Sequence, residues 1–470
     1  MAAMSLKLAV ALGCAAGASA LATAPALASP PPRLEHTMVW YRSQPTARSL
    51  AARSSSAGAT AVVGLESMRA LAPVRTRYGI RVIATFPQLH AAEVTVTRSL
   101  LARAGRDRRI RYVSSLGARR RLLATPNDPM VSTVDPLTTL PYEWQFAAAH
   151  VDEALDYTQG SPTVLVGTID SGAADVPDLA GKVAQRWTVS AKGKLAREPR
   201  PFDVVGHGTA VASLIAANVD DGVGMAGFGG ASRLIVMHAW SLTDVATAAA
   251  LMKLDALGVR IVNMSFGGPR AETPIMLDAI HKAAADGMLL VAAAGNSAQA
   301  VSHPAADLQP PGGARSYGLA VGASDVHGNL AFFSNYGMNL SLLAPGSYDG
   351  PCTGVLTAVV PGSTAFEGSC YPTWDRGETM YGYVAGTSFA APEVAGIAAL
   401  IWAVRPQLEN YQVAEIIKQS AQRTDGWTPA SGCGVLDAGA ALALATSLST
   451  AEWATTAEAG TTACSATDER

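Results

Sequence analysis

The sequence has few charged and few aromatic residues, and this limits the kind of protein that it encodes. Only 15% of its 470 residues are charged and 6% are aromatic, whereas 49% are apolar. A chain of this length and composition can bury one large core together with a smaller module. We therefore expect an α/β core domain and a second, smaller unit, and we exclude a small peptide scaffold.

Long apolar runs are scarce after residue 28. The first 28 residues join a single Lys7 to an Ala-rich stretch that ends in Ala26-Leu27-Ala28, a pattern typical of a cleavable secretory signal. A cut after Ala20 is an alternative. Beyond the signal, no uninterrupted apolar stretch is long enough to cross a bilayer. We expect a secreted protein, extracellular or periplasmic, without a membrane partner.

Cysteine is also scarce. Of five cysteines, four remain once Cys14 leaves with the signal: Cys352, Cys370, Cys433 and Cys464. An even number in an exported chain indicates disulfides. Of the three possible pairings we favour Cys352 with Cys370, which are close in sequence across a Gly-rich loop, and Cys433 with Cys464. None of the four has the spacing of a metal site.

Lysine is absent from residues 29–124, and the charge of the chain is unevenly divided. This segment holds 17 Arg and four acidic residues, a net charge of +13, whereas residues 125–470 have a net charge of −16. The Arg residues are scattered among apolar positions without stacked aromatics or a DNA-binding motif, so we expect no nucleic-acid partner. Opposite charge favours docking of the basic segment onto the acidic remainder of its own chain.

The pattern of apolar runs divides the chain in the same way. Short strand-like and helical runs before residue 116 predict a small α+β module, and a stretch rich in Gly, Pro, Asn and Asp around residues 116–135 marks an exposed boundary. Four fully apolar runs then alternate with helical segments: TVLVGTID, SRLIVMHA, VRIVNMSFGG and GMLLVAAAGN. This alternation predicts a buried parallel sheet.

Three polar residues come at the ends of these apolar runs. They are Asp170, Ser265 and Asn296. Ligands of parallel sheets collect beyond the carboxyl ends of the strands, so we expect the three residues along one edge of the molecule. Taken singly, Asp170 and Asn296 are also typical of ordinary turns.

The stretch VAGTSFAAP places Thr387 and Ser388 at the start of an apolar helix. Helix capping is the plain interpretation; the other is a nucleophile, which needs a base and a carboxylate. Among the histidines, His207 in VVGHGTAVAS is favoured because flanking glycines permit close approach and a helix follows. The alternatives after the boundary are His150, His238, His281, His303 and His327.

The blocks TIDSG, GHGTAVA, AAAGNS and GTSFAAP occur in the order Asp, His, Asn, Ser. Together they resemble the subtilisin family of serine proteases, over roughly residues 140–445. The resemblance implies a three-layer α/β peptidase domain with a parallel sheet over residues 122–445. It would follow a signal peptide (1–28) and a small α+β propeptide domain (29–121) and precede an Ala/Thr/Ser-rich tail (446–470).

The resemblance also assigns roles to site residues in a secreted serine endopeptidase. Ser388 would attack the scissile carbonyl and His207 would move the proton. Asp170 would orient the imidazole, and Asn296 would hold the oxyanion together with the backbone N–H of Ser388.

Substrate and regulatory partners follow from the same resemblance. Ser265, Phe266 and Gly267 resemble the family's substrate-binding strand, which pairs with an extended polypeptide substrate. The basic module resembles an inhibitory propeptide, cut near residues 121–126, and the enzyme would be a monomer made as a zymogen. Calcium is frequent in the family. The nearest approach to a ligand run is Asp220-Asp221, and we assign no metal-binding residue.

The sequence departs from the family pattern in places. Phe389 follows the nucleophile where Met is frequent, and the Gly-rich loop that forms one wall of the cleft is missing after LIVMHAW, so subsite preferences do not carry over. A binding protein without turnover would lack a triad or oxyanion residue, and none is missing. A lipase-like hydrolase would have a second Gly after the nucleophile, where Ala390 stands.

Overall fold

The computed structural model describes residues 60–95, 97, 100, 107–115, 125–136, 138–309, 316–348, 354–360, 363, 380–422, 427–447 and 464. The chain divides into two units, residues 1–119 and 120–470. The predicted signal, residues 121–124 of the predicted cut region, Cys352 and Cys370 lie outside the described residues.

The described residues of the first unit include a small antiparallel sheet and a helix, so the α+β prediction is confirmed. The strands are β1 (Thr60–Leu65), β2 (Val82–Phe86), β3 (Ala91–Thr95) and β4 (Ile110–Ser115), and the helix is α1 (Leu71–Tyr78). The spatial order is β2-β3-β1-β4. Apolar side chains of the sheet and helix, Val63, Val74 and Val94 among them, form its own buried core.

The second unit contains a sheet of eight strands in the order β12-β11-β10-β9-β5-β8-β6-β7. The strands are β5 (Leu165–Asp170), β6 (Val183–Val189), β7 (Leu195–Arg197), β8 (Arg233–Ala239), β9 (Ile261–Met264), β10 (Leu289–Ala293), β11 (Gly318–Ser324) and β12 (Leu342–Pro345). All neighbours are parallel except β6 and β7. The predicted parallel sheet is confirmed.

Helices cover both faces of this sheet. They are α2 (Pro129–Ser132), α3 (Trp144–Ala148), α4 (Val151–Leu155), α5 (His207–Ala216), α6 (Asp244–Ala256), α7 (Pro274–Ala285), α8 (Thr387–Val404), α9 (Asn410–Ser420) and α10 (Ala438–Ser447). A separate hairpin consists of β13 (Val355–Val359) and β14 (Met380–Val384). Helices α6 and α7 pack on one face and α5, α8, α9 and α10 on the other, which confirms the three-layer fold.

Strand β10 is apolar throughout because it serves two cores. In β10, Leu289, Val291 and Ala293 face the core that contains α8. Leu290 and Ala292 alternate with them and face the core that contains α6 and α7. Since successive side chains of a strand point to opposite faces, a strand buried on both sides has no polar face.

Helix α8 is the central helix of its layer. It is long and apolar enough to cross a membrane, but 83% of its 18-residue span is buried inside the unit, so its composition is that of a core helix. Gly396 lets it approach the chain closely: a Cβ at this position would lie 2.6 Å from the Cβ of Phe228 and 2.8 Å from the backbone nitrogen of Gly229.

The prediction of a disulfide is confirmed by a bond between Cys433 and Cys464. The two cysteines are buried and pack with Ala421 and Trp427. Helix α10 continues to Ser447, two residues into the predicted tail.

Glu393 and Glu143 are two of the carboxyl groups that lie fully buried in the second unit. Glu393, on α8, has no hydrogen-bond partner at either oxygen among the described residues. Glu143, just before α3, accepts the N–H of Ala226 at 2.9 Å through Oε2. Burial, and then the charge of Glu143, raise the pKa of Glu393 well above its usual range. A proton therefore stays on Glu393 in the folded protein at pH values where the unfolded chain has released it.

The substitution Glu393→Gln is expected to stabilise the protein at pH 8 but not at pH 4. A group whose pKa is raised by folding weakens the folded state as the pH rises above its unfolded value, and glutamine removes this dependence. Thermal unfolding of the wild-type protein and of Glu393→Gln, compared at both pH values, measures the effect. Asp278→Asn, an exposed acid on α7, is the control. Equal stability of the two proteins at pH 8 would contradict this account.

Candidate active site

Strand β5 ends at Asp170, whose side chain is nearly buried. Its Oδ1 accepts the backbone N–H of Ser171 at 2.7 Å and pairs with Nδ1 of His207 at 2.8 Å. The carboxylate can only accept, so Nδ1 of the imidazole carries the proton and Nε2 is left as the basic nitrogen. Strand β5 lies where the order of strands changes direction, which is where α/β sheets place their ligands.

His207 is the first residue of α5, and a buried carboxylate fixes that first turn. Asp203 accepts the N–H of Gly206 at 2.8 Å through Oδ1, and through Oδ2 it accepts the N–H and hydroxyl of Thr209 at 2.8 and 2.6 Å. It satisfies helix N–H groups that have no partner within the helix. Our sequence reasoning missed Asp203; the signal was an Asp four residues before the histidine.

The glycine after His207 allows the helix to approach β5. A Cβ at Gly208 would lie 2.2 Å from the carbonyl oxygen of Gly172 and 3.1 Å from Oδ1 of Asp170. The N–H of Gly208 donates to the hydroxyl of Ser171 at 2.9 Å. A side chain at this position would therefore push His207 away from Asp170.

Opposing effects set the pKa of His207. Burial lowers the pKa, since it disfavours the charged ring, but the charge of Asp170, its hydrogen bond and the charge of Asp203 raise it. The net direction is upward from the usual 6.5. The ring is thus poised to accept a proton and to be stabilised once it has done so.

Ser388 lies in the first turn of α8 and exchanges two hydrogen bonds with Ser265 at the end of β9. The hydroxyl of Ser265 donates to the carbonyl oxygen of Ser388 at 2.6 Å, and the hydroxyl of Ser388 donates to the carbonyl oxygen of Ser265 at 3.2 Å. The carbonyl of Ser388 accepts no helical bond from Pro392, which has no N–H. The ring of Phe389, the next residue, lies 5.3 Å from that of His207 between centroids.

Asn296 follows β10 and binds the start of α8. Its Oδ1 accepts the N–H of Thr387 at 2.9 Å and the hydroxyl of Thr387 at 2.8 Å. With the oxygen so fixed, the amide nitrogen points the other way. Gly386 leaves room for it, because a Cβ there would lie 3.3 Å from Nδ2.

A second asparagine, Asn335, holds the loop after β10. It is fully buried, its Oδ1 accepts the N–H of Ser297 at 2.9 Å, and its Nδ2 donates to Ala294 O and Ser302 Oγ, each at 3.0 Å. A Cβ at Gly295, whose φ is +107°, would lie 2.4 Å from this amide nitrogen. Our sequence reasoning missed Asn335, because it is distant in sequence from the loop it holds.

The three residues expected to bind substrate have different surroundings. Ser265 is only 4% exposed, and Asn263 donates to its hydroxyl at 2.9 Å, so its side chain positions Ser388. Phe266 and Gly267 instead line a cavity of about 380 Å³ that also contains Asn296 and Ser388. The structure thus brings the candidate nucleophile, amide donor and peptide-binding backbone to one cavity.

No group of three or more His, Cys, Asp and Glu residues in the described part of the chain is placed to hold a metal ion. The candidates Asp220 and Asp221 each accept a backbone N–H, from Asn127 at 3.1 Å and from Val223 at 2.9 Å. We therefore route no chemical step through calcium.

Comparison with known proteins agrees with this geometry. The Subtilase family matches residues 161–437. A thermophilic serine proteinase of Bacillus sp. (strain AK1) is 29% identical over 292 residues, which are 61% of this chain and 63% of that protein. An extracellular protease of Xanthomonas campestris pv. campestris is 27% identical over 437 residues, which are 84% of this chain and 68% of that protein.

Among solved structures, a protease from Pseudoalteromonas arctica PAMC 21717 has 25% sequence identity and a TM-score of 0.57. The alignment covers 69% of this chain and all of that one. The match to the family covers more than half of the chain and includes Asp170 and Ser388. The chain belongs to the subtilase family of serine endopeptidases, which hydrolyse peptide bonds.

Proposed function

We propose that this chain is a secreted endopeptidase, made as a zymogen, that cleaves polypeptides through Ser388, His207 and Asp170. The observation that carries the proposal is the 2.8 Å hydrogen bond between Asp170 and Nδ1 of His207, with the segment of Ser388 packed against the same ring. This arrangement leaves Nε2 as the base for a nearby hydroxyl.

In the first step, the hydroxyl of Ser388 leaves the carbonyl of Ser265 and donates to Nε2 of His207. Its oxygen attacks the scissile carbonyl as the proton passes to the ring, and the charge of Asp170 stabilises the imidazolium. His207 then gives the proton to the leaving amine, and the peptide remains as an ester on Ser388. Water, deprotonated by the same ring, releases the acid and restores the enzyme.

The negative charge that develops on the carbonyl oxygen is stabilised by Asn296 and by the start of α8. The amide nitrogen of Asn296 is aimed by the two hydrogen bonds that its oxygen accepts from Thr387. Ser388 belongs to the first turn of an 18-residue helix, where N–H groups have no helical partner and the helix dipole favours a negative charge. These donors are in place before the reaction, which is why they are effective.

An extended substrate would pair with the backbone near Gly267. Gly268 and His303 exchange both of their backbone hydrogen bonds, each at 2.9 Å. Because backbone directions alternate along an extended chain, the N–H and C=O of Gly267 are turned the other way. They are then available to a strand of substrate that lies along the cavity.

Secretion and activation rest on the N-terminal part of the chain. Three observations favour an exported protein: the signal-like residues 1–28, the disulfide between Cys433 and Cys464, and the similarity to an extracellular protease. The basic first unit would act as an intramolecular inhibitor until a cut near residues 121–126 releases the peptidase. The released peptidase would be a monomer.

Labelling with a serine-directed fluorophosphonate tests the proposal. The purified wild-type protein is expected to incorporate the label and to hydrolyse casein, and Ser388→Ala is expected to do neither, because the reacting oxygen has been removed. Ser447→Ala, which alters an exposed serine at the end of α10, keeps Ser388 and serves as the control that still becomes labelled. Labelling of Ser388→Ala to the wild-type level would rule out Ser388 as the nucleophile.

The substitution Asn296→Ala is expected to lower kcat by roughly 10²- to 10³-fold while KM changes little. The magnitude is the one established for an oxyanion-hole asparagine of subtilisin. Such a donor acts on the charge of the transition state, so its loss affects turnover more than binding. Peptide hydrolysis by Ser297→Ala, the neighbouring residue, is the matched control. A rise in KM with unchanged kcat would assign Asn296 to substrate binding instead.

The raised pKa of His207 predicts the acid side of the pH profile. Only the neutral ring can accept the proton, so kcat/KM should fall as the pH decreases, with a midpoint above the usual histidine value of 6.5. Asp203→Asn removes one of the charges that raise this pKa and should move the midpoint to lower pH. His281→Gln, an exposed histidine on α7, should leave it unchanged. A midpoint below 6.5 in the wild type would contradict this assignment.

A further inference from the structure

A second cavity adjoins the one that contains Ser388. It has a volume of about 240 Å³, and both cavities are lined by the segment Phe266–Gly268. The backbone pairing of Gly268 with His303 lies at their common border. Ligand pockets for whole small molecules measure about 300–1,000 Å³, so this space suits a single side chain of a bound polypeptide.

The two cavities differ in charge. Among the residues that the structure describes, no charged side chain lines the cavity of Ser388. The second cavity is lined by Asp244, Arg270, Glu272 and His303, together with apolar residues such as Met276. None of these four groups takes part in the proposed catalytic steps.

Two of the acidic groups around the second cavity already have partners. Asp244 accepts the N–H of Thr273 at 2.9 Å. Hydrogen bonding to Thr273 lowers the pKa of Asp244 most, and the charge of Arg270 adds a smaller effect in the same direction. Asp307, which does not itself line the cavity, pairs with Nδ1 of the lining residue His303 at 2.6 Å. These partners offset the charges of Asp244 and Asp307.

Glu272 is the third acidic group at the second cavity, and no hydrogen bond or ion pair of the described residues offsets its charge. It is half-buried. Burial is the largest cause that raises its pKa, to about 7, and the charges of Asp244 and Asp307 add to it, whereas His303 acts in the opposite direction. A carboxyl group in this position favours the approach of a cation, which would restore its charged form.

We propose that the second cavity binds a lysine or arginine side chain of the substrate polypeptide and that Glu272 is the residue that selects it. The inference rests on the proposed function, because it takes Phe266–Gly268 as the backbone along which substrate lies. The cation would lie between Glu272 and Asp244, and its methylene stem would contact Met276 and Phe266. The uncharged cavity next to Ser388 would take an uncharged side chain, so the preferred substrate is mixed: neutral at the cleavage site and basic at one more distant position.

Fluorogenic peptides test the proposal. In a set with a fixed uncharged residue at the scissile bond, lysine and norleucine are exchanged at one position at a time. At pH 8 we expect one position, not adjacent to the scissile bond, at which lysine raises kcat/KM about 5- to 10-fold over norleucine, the range of a half-buried ion pair. Glu272→Gln should reduce this ratio to about one, because kcat/KM for the lysine peptide falls more than kcat/KM for the norleucine peptide. Asp278→Asn, which lies on α7 and does not line the cavity, should keep the ratio.

The pH dependence gives an independent readout. Because Glu272 loses its proton near neutral pH, the lysine-to-norleucine ratio of the wild type should rise between pH 6 and pH 8, and that of Glu272→Gln should stay flat. Asp244, Arg270, His303 and Asp307 are the other charged or titratable groups around Glu272 and are present in both proteins. A wild-type ratio near one at every position, or a ratio that survives in Glu272→Gln, would overturn the proposal. Failure of all peptides to be cleaved would instead count against the proposed function itself.

Discussion

The parallel pairing of β5, β9 and β10 is the constraint on which the site depends. Parallel strands direct their carboxyl ends to one edge of the sheet, and the residues that follow these three strands are therefore neighbours despite their distance in sequence. β5 contributes Asp170, β9 contributes Ser265 and β10 contributes Asn296. Strands buried on both faces are mostly apolar, and the polar groups of the candidate site lie at or just beyond the positions where they end.

Helix α8 completes the arrangement because its beginning is held from outside. The hydroxyl of Ser265 replaces the helical donor that Pro392 lacks, and the side chain of Asn296 binds the N–H of Thr387. The groups that satisfy the first turn are thus the same groups that position Ser388 and orient an amide donor. The sequence presented capping and catalysis as rival interpretations of GTSFAAP; the contacts that cap the helix are also those on which the proposed catalysis would depend.

Much of the fold could be predicted from the sequence, because an apolar run with helical neighbours has few ways to be buried. The ends of the strands then indicated that Asp170 and Asn296 lie along the same edge of the sheet. The glycines on either side of His207 indicated that the backbone there approaches a neighbouring segment closely. The residues that were missed, Asp203 and Asn335, act through contacts with backbone groups whose positions only the fold defines. Likewise, the sequence could not show that the hydroxyl of Ser265 is buried, since this depends on which side of β9 faces α8.

The bond between Cys433 and Cys464 closes a loop of the chain with a sequence separation of 31 residues. The backbone on either side of Cys433 is part of the fold, since its N–H donates to Ser341 and the N–H of Leu343 donates to Gly434, each at 2.8 Å. If a protease of this kind nicks itself between residues 448 and 463, the end of the chain stays covalently attached. Without a reductant, the mass of the nicked protein would differ from that of the intact protein only by the one water molecule that hydrolysis adds. Reduction of the disulfide would separate the two pieces and reveal the nick.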